Sequence, residues 1–263
     1  MSARAVTSLT NPTVKAVRAL HLRKERDATG LFVAEGLKTV TEGIETRHAP
    51  KILLYGAEGA DHPLLKAAVQ ATLAANGEAI EVTEAILAKV SRRDNPQAVV
   101  GVFSQAFRPL EVIEPQAARC WVALHRVRDP GNLGTIVRTA DAAGCGGVIL
   151  VGECCDPYSV EAVRATMGSI FAVPLTKATE AEFAAWRNSW PGSVVGTLLS
   201  AEVDHGQADY ARPVLILMGN EQQGLPPDMA ALCDVNVKIA MRGRADSLNL
   251  SVATGIMIYA ATA

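Results

Sequence analysis

The sequence predicts an α/β protein of two domains. Short apolar runs rich in Val, Ile and Leu alternate with helix-period segments along most of the chain, which is the pattern of parallel sheet with crossover helices. One stretch, 105–119 (QAFRPLEVIEPQAAR), carries two prolines and no periodicity, and it separates two such series. Each conspicuous polar motif of the second series falls just after a strand, where open α/β sheets form ligand crevices. The 263 residues suffice for two modest domains, and a composition 49% hydrophobic and 20% charged excludes a disordered or collagen-like chain.

The first series begins with Asn11-Pro12, an N-cap followed by proline at the first helical position. The helix is expected to run to about Arg26, with Val14, Val17 and Leu20 facing the core and Lys15, Arg18 and Arg26 projecting elsewhere. Strands are predicted over 31–34, 51–55, 79–82 and 98–104, with helices near 36–45, 63–75 and 83–90. The expected domain is 1–104 and the linker 105–119.

The second domain, 120–263, reads as strand 120–125, a loop, helix 135–143, strand 147–151 and a helix around 160–165. Strand 170–174, helix 180–189 and strand 193–198 follow. The last part is strand 214–218, short helix 227–232, strand 235–239, a loop, and a helix from about Leu248 to the end. Asp246 or Ser247 is the candidate cap of that helix, which places Asn249 inside its first turn, where asparagine is a poor helix former.

Charge is distributed unevenly. The total is −2, but residues 1–119 hold 15 basic against 13 acidic groups and 120–263 hold 10 against 14. The first thirty residues alone carry Arg4, Lys15, Arg18, Arg23, Lys24 and Arg26 against Glu25 and Asp27. Such a local patch attracts phosphate whatever the sign of the whole chain. Five cysteines without a C-x-x-C pair indicate neither a disulfide framework nor a zinc site, and the five histidines show no close metal-ligand pairing. No metal is expected. Residues 1–30 lack the apolar core of a signal peptide and no run approaches a membrane span, so a cytoplasmic protein with reduced thiols is expected.

Three segments concentrate glycines, amides and charges. The first, RVRDPGNLGTIVR (126–138), joins a strand to a helix; Gly131 and Gly134 admit a ligand close to the backbone, Asn132 both donates and accepts, and Arg138 lies about one turn into the expected helix. A phosphate-binding turn at a helix N-terminus fits this, whereas the G-x-G-x-x-G dinucleotide fingerprint is absent. The second, LMGNEQQGL (217–225), is an amide-rich turn with one carboxylate, Glu221. The third is IAMRGRADSLNLSVA (239–253).

Together, DPGNLGTIVRTADAAG (129–144), GNEQQGL (219–225) and SLNLSVA (247–253) resemble, in order and spacing, the three motifs of the SpoU/TrmH family of RNA ribose 2′-O-methyltransferases, within the SPOUT superfamily. NPTVK (11–15), GLFVAEG (30–36) and NPQ (95–97) resemble the family's frequent companion, an L30e-like RNA-binding domain. The resemblance implies a trefoil-knotted α/β catalytic domain, S-adenosylmethionine as cofactor, a structured ribosomal or transfer RNA as substrate with ribosomal RNA preferred, and a homodimer. It places catalysis at Arg138, Asn132, Glu221, Ser247 and Asn249, and cofactor contacts at Thr197, Leu198, Gly219, Ile239, Met241 and Leu248. Lys15, Arg18, Arg23 and Arg26 are the candidate RNA-binding cations. Because arginine stays protonated, Arg138 is expected to bind phosphate and stabilise a developing alkoxide. The competing expectation is a non-catalytic RNA-binding or ribosome-assembly factor on the same scaffold, which would fail to bind the cofactor. Ile239-Ala-Met241 stands where the family commonly has a proline, and the adjacent thiols Cys154 and Cys155 are expected to be structural.

Overall fold

A computed structural model describes residues 4–92 and 97–263. Asn95 and Pro96 of the third N-terminal motif lie outside the described residues. The chain divides into two compact units, one of residues up to Gln105 together with Tyr158–Phe171, the other of Ala106–Pro157 and Ala172–Ala263.

The first unit holds β1 (Arg4–Val6), α1 (Pro12–Ala19), α2 (Arg23–Thr29), β2 (Leu31–Glu35), α3 (Leu37–Glu45), β3 (Ile52–Gly56), α4 (Pro63–Ala74), β4 (Glu78–Val82), α5 (Glu84–Ser91) and β5 (Val99–Ser104). Its sheet runs β1-β4-β3-β5-β2, with β1, β4 and β3 parallel and β5 antiparallel to both its neighbours. Asn11 caps α1 through its side-chain oxygen, which accepts from Thr13 N at 2.9 Å and Val14 N at 3.4 Å, as the Asn-Pro signal predicts. Val14, Val17 and Leu20 pack with Val33, Leu54, Ile80, Ile86 and Val100 in one apolar core.

The helix expected to reach Arg26 is broken into α1 and α2. Arg26 is 4% exposed and donates from Nη1 to the Leu20 carbonyl at 2.7 Å, thereby occupying an acceptor that a continuous helix would have used. Arg26 is therefore a structural residue and not part of an exposed basic face. Lys15, Arg18 and Arg23 are exposed.

Segment Tyr158–Phe171, which a single crossing at 105–119 would assign to the second domain, packs in the first unit. Tyr158 lies 4.6 Å from Phe32 between ring centroids, and Phe171 lies 4.7 Å from Phe103. A Cβ on Gly43 of α3 would come within 3.1 Å of both Phe103 and Phe171, so glycine there admits the aromatic cluster. The segment also contains α7 (Val160–Thr166), whose Arg164 makes a paired contact with the buried carboxylate of Glu35: Nε to Oε2 at 3.1 Å and Nη2 to Oε1 at 2.8 Å. The strand expected over 170–174 is absent because Ile170 and Phe171 are buried in a 3-10 turn of this segment.

The second unit comprises β6 (Cys120–His125), α6 (Pro130–Ala142), β7 (Val148–Val151), β8 (Leu175–Ala178), α8 (Glu180–Arg187), β9 (Val194–Thr197), β10 (Val203–Asp204), β11 (Val214–Met218), α9 (Pro227–Ala230), β12 (Val235–Lys238) and α10 (Leu250–Thr262). All its strand pairs are parallel, in the order β10-β12-β9-β11-β6-β7-β8. The central strands β6 and β11 are buried throughout, which matches their unbroken apolar runs. The α6 and α10 helices meet where Gly255 faces the Thr139 methyl group. Among the described residues no helix is long and apolar enough to cross a membrane.

Candidate active site

Three loops leave the C-terminal ends of strands in the second unit, two of them after the paired strands β6 and β11 and the third after β12, which β9 separates from β11. The loop after β6 turns into α6, which starts at Pro130 and not at 135 as expected. Asp129 caps it, its carboxylate accepting from Asn132 N at 2.6 Å. Arg138 consequently sits in the third turn, about 12 Å along the axis from Pro130, with its side chain free to lean back toward the helix N-terminus. It is exposed and has no hydrogen-bond or ion-pair partner among the described residues.

The loop after β11 is a tight amide turn. Asn220 Oδ1 accepts from Gln222 N and Gln223 N at 2.9 and 2.8 Å, and a Cβ on Gly219 would lie 1.9 Å from the Gly224 carbonyl carbon, so only glycine fits. The turn projects Glu221 at the first loop. Glu221 Oε1 accepts from Asp129 N and Asn132 Nδ2, both at 3.1 Å, and Oε2 accepts from Arg128 N at 3.2 Å. These three hydrogen bonds orient that loop.

The third loop ends at Asn249, which is the N-cap of α10 and not a first-turn residue. Its Oδ1 accepts from Ser251 N at 2.9 Å and Val252 N at 3.4 Å, while Nδ2 donates to Asn132 Oδ1 at 2.9 Å. Asn132 thus bridges Glu221 and Asn249, and the three motifs meet in one hydrogen-bonded chain. Ser247 stays outside it, exposed and bonded only to Asp246 at 3.3 Å.

Of the residues expected at the cofactor, Thr197, Leu198, Gly219 and Ile239 lie at strand ends, while Met241 and Leu248 follow in the loop between β12 and α10. Thr197 pairs in register with Val237, and Gly196 pairs with Leu217, so Thr197, Leu198, Gly219 and Ile239 leave three adjacent strands side by side. Thr197 Oγ1 is buried without a hydrogen-bond partner among the described residues. Leu198, Ile239 and Met241 are half-buried, and Leu248 is exposed.

Sequence reasoning passes over a second polar group beside the first loop. His125 ends β6 and is 3% exposed; its Nε2 lies 2.6 Å from Glu180 Oε1, which also meets Arg126 Nε at 2.8 Å. Those contacts, that with His125 foremost, hold the Glu180 carboxyl below the usual carboxylate range. The neighbouring thiols are quiet: burial pushes Cys155 up to about 12 and raises Cys154 as well. Among the described residues no three His, Cys, Asp or Glu side chains are placed to hold a metal ion.

The α/β scaffold of the second unit thus carries a glycine turn at its strand ends, an asparagine-centred hydrogen-bond chain and, on α6, an unpaired arginine. Residues 119–259 match the SpoU rRNA Methylase family and residues 11–101 match the MRM3-like substrate binding domain. The chain belongs to the SpoU rRNA methylase family. It is 28% identical to the 23S rRNA (guanosine(2553)-2'-O)-methyltransferase RlmP of Bacillus subtilis, over 97% of each chain. Among solved structures it is similar to the AdoMet-bound rRNA methyltransferase of Sinorhizobium meliloti, with a TM-score of 0.92, 49% identity and 98% and 97% of the two chains covered. It is similar also to the SpoU methyltransferase AviRb of Streptomyces viridochromogenes, with a TM-score of 0.85, 28% identity and 96% of each chain covered.

Proposed function

We propose that this protein transfers the methyl group of S-adenosylmethionine to a ribose 2′-hydroxyl of ribosomal RNA. The observation that carries this is the chain Glu221–Asn132–Asn249, which ties all three motif loops together in the same unit as the unpaired Arg138. Relatives named as 23S rRNA 2′-O-methyltransferases, and a structural neighbour with AdoMet bound, support the substrate and the cofactor.

The strand ends fit such a cofactor. Thr197 offers a buried unsatisfied hydroxyl, the turn at Gly219 admits no side chain, and Leu198, Ile239, Met241 and Leu248 supply apolar surface. When bound, the cofactor supplies an electrophilic methyl group on a sulfonium. The protein's own task is to hold a weak nucleophile in line and to favour its deprotonated form. Arg138 would hold the adjacent RNA phosphate and stabilise the developing alkoxide; the 2′-hydroxyl proton would pass to that phosphate or to water, and the ribose oxygen would take the methyl group as the bond from that group to sulfur breaks, leaving a neutral thioether. Asn132 and Asn249 fix the loop that presents the ribose; Glu221 acts through that loop. Ser247 is free to contact substrate or cofactor.

The exposed cations Lys15, Arg18 and Arg23 serve as the phosphate-gripping face of the first unit. Insertion of β12 between the earlier strands β9 and β10, with α10 returning to α6, supports a threaded, trefoil-knotted path. The exposed apolar side chains Val252 and Tyr259 on α10 support a homodimer built on that helix. A cytoplasmic location accords with an RNA substrate. Incubating the purified protein with labelled S-adenosylmethionine and ribosomal RNA tests the proposal; label recovered in 2′-O-methylnucleosides is expected, and failure to bind the cofactor in calorimetry would refute it.

A further inference from the structure

Arg126 occupies an unusual backbone position at a sensitive place. Its φ is +51°, in the left-handed region that costs a non-glycine residue the equivalent of about tenfold in an equilibrium. This turn directs the chain out of β6 into the loop whose next N–H groups, at Arg128 and Asp129, donate to Glu221. Val127 between them is fully buried, and its carbonyl accepts from Cys155 N at 2.8 Å. A change at Arg126 therefore passes along a short, anchored loop to Asn132.

The strained residue is held by its own side chain. Arg126 Nε meets Glu180 Oε1 at 2.8 Å, and the same oxygen lies 2.6 Å from His125 Nε2. The backbone is fixed separately by Arg126 N donating to the Val151 carbonyl at 3.0 Å. Space for the contact comes from Gly152, where φ is +70° and a Cβ would lie 3.3 Å from both Arg126 Cγ and Glu180 Oε1. The ends of β6 and β7 and the start of α8 thus converge on one carboxylate. Glu180 comes more than fifty residues after the loop, and no motif contains it.

We propose that Glu180 is a positioning residue for methyl transfer: by clamping Arg126 in its left-handed conformation it keeps the 126–129 loop in register with Glu221 and Asn132. The inference extends the methyltransferase assignment above, yet its structural half stands apart from activity. Glycine adopts a φ of +51° without penalty and carries no guanidinium to be paired. A glycine at 126 therefore removes the need for the clamp.

The test uses the full chain with Glu180→Ala, alone and combined with Arg126→Gly or Arg126→Ala. Hydrogen exchange at Arg128 and Asp129, and kcat and KM for S-adenosylmethionine with ribosomal RNA, are measured on each. Because both side chains are about half exposed, Glu180→Ala is expected to speed exchange of those two amides about threefold and to lower kcat by a similar factor while KM for the cofactor stays within about twofold. Arg126→Gly in the same chain recovers the larger part of both, the lost His125 contact being common to every Glu180→Ala chain, and Arg126→Ala does not. Unchanged exchange in Glu180→Ala, or equal rescue by alanine and glycine, overturns the clamp. If Glu180→Ala does not fold, Glu180→Gln, which keeps an acceptor but loses the charge, is expected to show a smaller change of the same sign; wild-type exchange in that variant overturns the proposal. A wild-type protein without methyl transfer would refute the assigned activity, while the exchange measurements still decide the clamp.

Discussion

Two polar clusters, one in each unit, differ in how much water they meet. In the first unit the Glu35 side chain is 2% exposed and that of Arg164 33%, and Arg164 spends a further N–H on the Ser91 carbonyl at 3.1 Å. In the second unit Glu221, Asn132 and Asn249 form an equally connected chain, but Glu221 and Asn249 are exposed and Asn132 half-buried. A buried pair gains little net stability over an apolar one yet is costly to break, because the remaining charge lacks both solvent and partner. An exposed chain contributes little to folding and keeps donors and acceptors within reach of a substrate. The comparison separates a buried pair that the fold needs from an exposed chain that a substrate can reach.

Arg138 gives the largest expected effect. Arg138→Ala should lower kcat for methyl transfer about a thousandfold, the upper range for removing one charge-stabilising donor, with the melting temperature and cofactor affinity nearly unchanged. Filter assays and calorimetry on the same preparation check this; an active variant would remove Arg138 from the site. Arg164→Ala should do the reverse. It strips the buried Glu35 carboxylate of its paired contact and should destabilise the protein by about 2–3 kcal/mol in denaturant unfolding, the low side of what breaking a buried pair costs because Arg164 is partly exposed. Loss of transfer without loss of stability in that variant would contradict the division between the two clusters. Glu221→Ala falls between the two kinds. Its carboxylate accepts three hydrogen bonds, so its removal should lower kcat by about tenfold to thirtyfold and stability by no more than about 1 kcal/mol, since the freed N–H groups meet water.

Much of this arrangement is legible in the chain. Asn11-Pro12 announces α1, the apolar runs announce the parallel strands, and the three motifs supply Asn132, Glu221 and Asn249, which the fold joins. The same cap-and-proline signal stands at Asp129-Pro130, but Gly131 and Gly134 mask it, so the sequence pattern starts α6 about five residues late. Asn249 reads as a poor helix former because its value as a cap depends on where the chain enters α10. Other features are not legible, because they depend on contacts distant in sequence or on a single side chain folding back. The break after α1 needs Arg26 to reach the Leu20 carbonyl, and the 3-10 turn at Ser169–Phe171 needs the aromatic cluster of the first unit. Composition makes Arg26 look like one more surface cation.

The contrast between Arg26 and its neighbours yields the smallest and most discriminating effect. Lys15, Arg18 and Arg23 are exposed, so each that touches phosphate releases counterions when RNA binds and adds to the salt dependence of affinity. Replacing one of the three by alanine should weaken binding of ribosomal RNA fragments only a few-fold near physiological salt. It should also flatten the slope of log K against log salt by about 0.7 to 0.9 for each phosphate no longer neutralised. Arg26→Ala should leave that slope unchanged in the folded fraction and should instead lower the unfolding midpoint, because it leaves the Leu20 carbonyl without its charged donor and opens a gap in the core. Measuring slope and midpoint for all four variants separates surface cations from a structural one. A slope change at Arg26 equal to that at Lys15 would mean that burial in this unit does not decide which cations meet RNA.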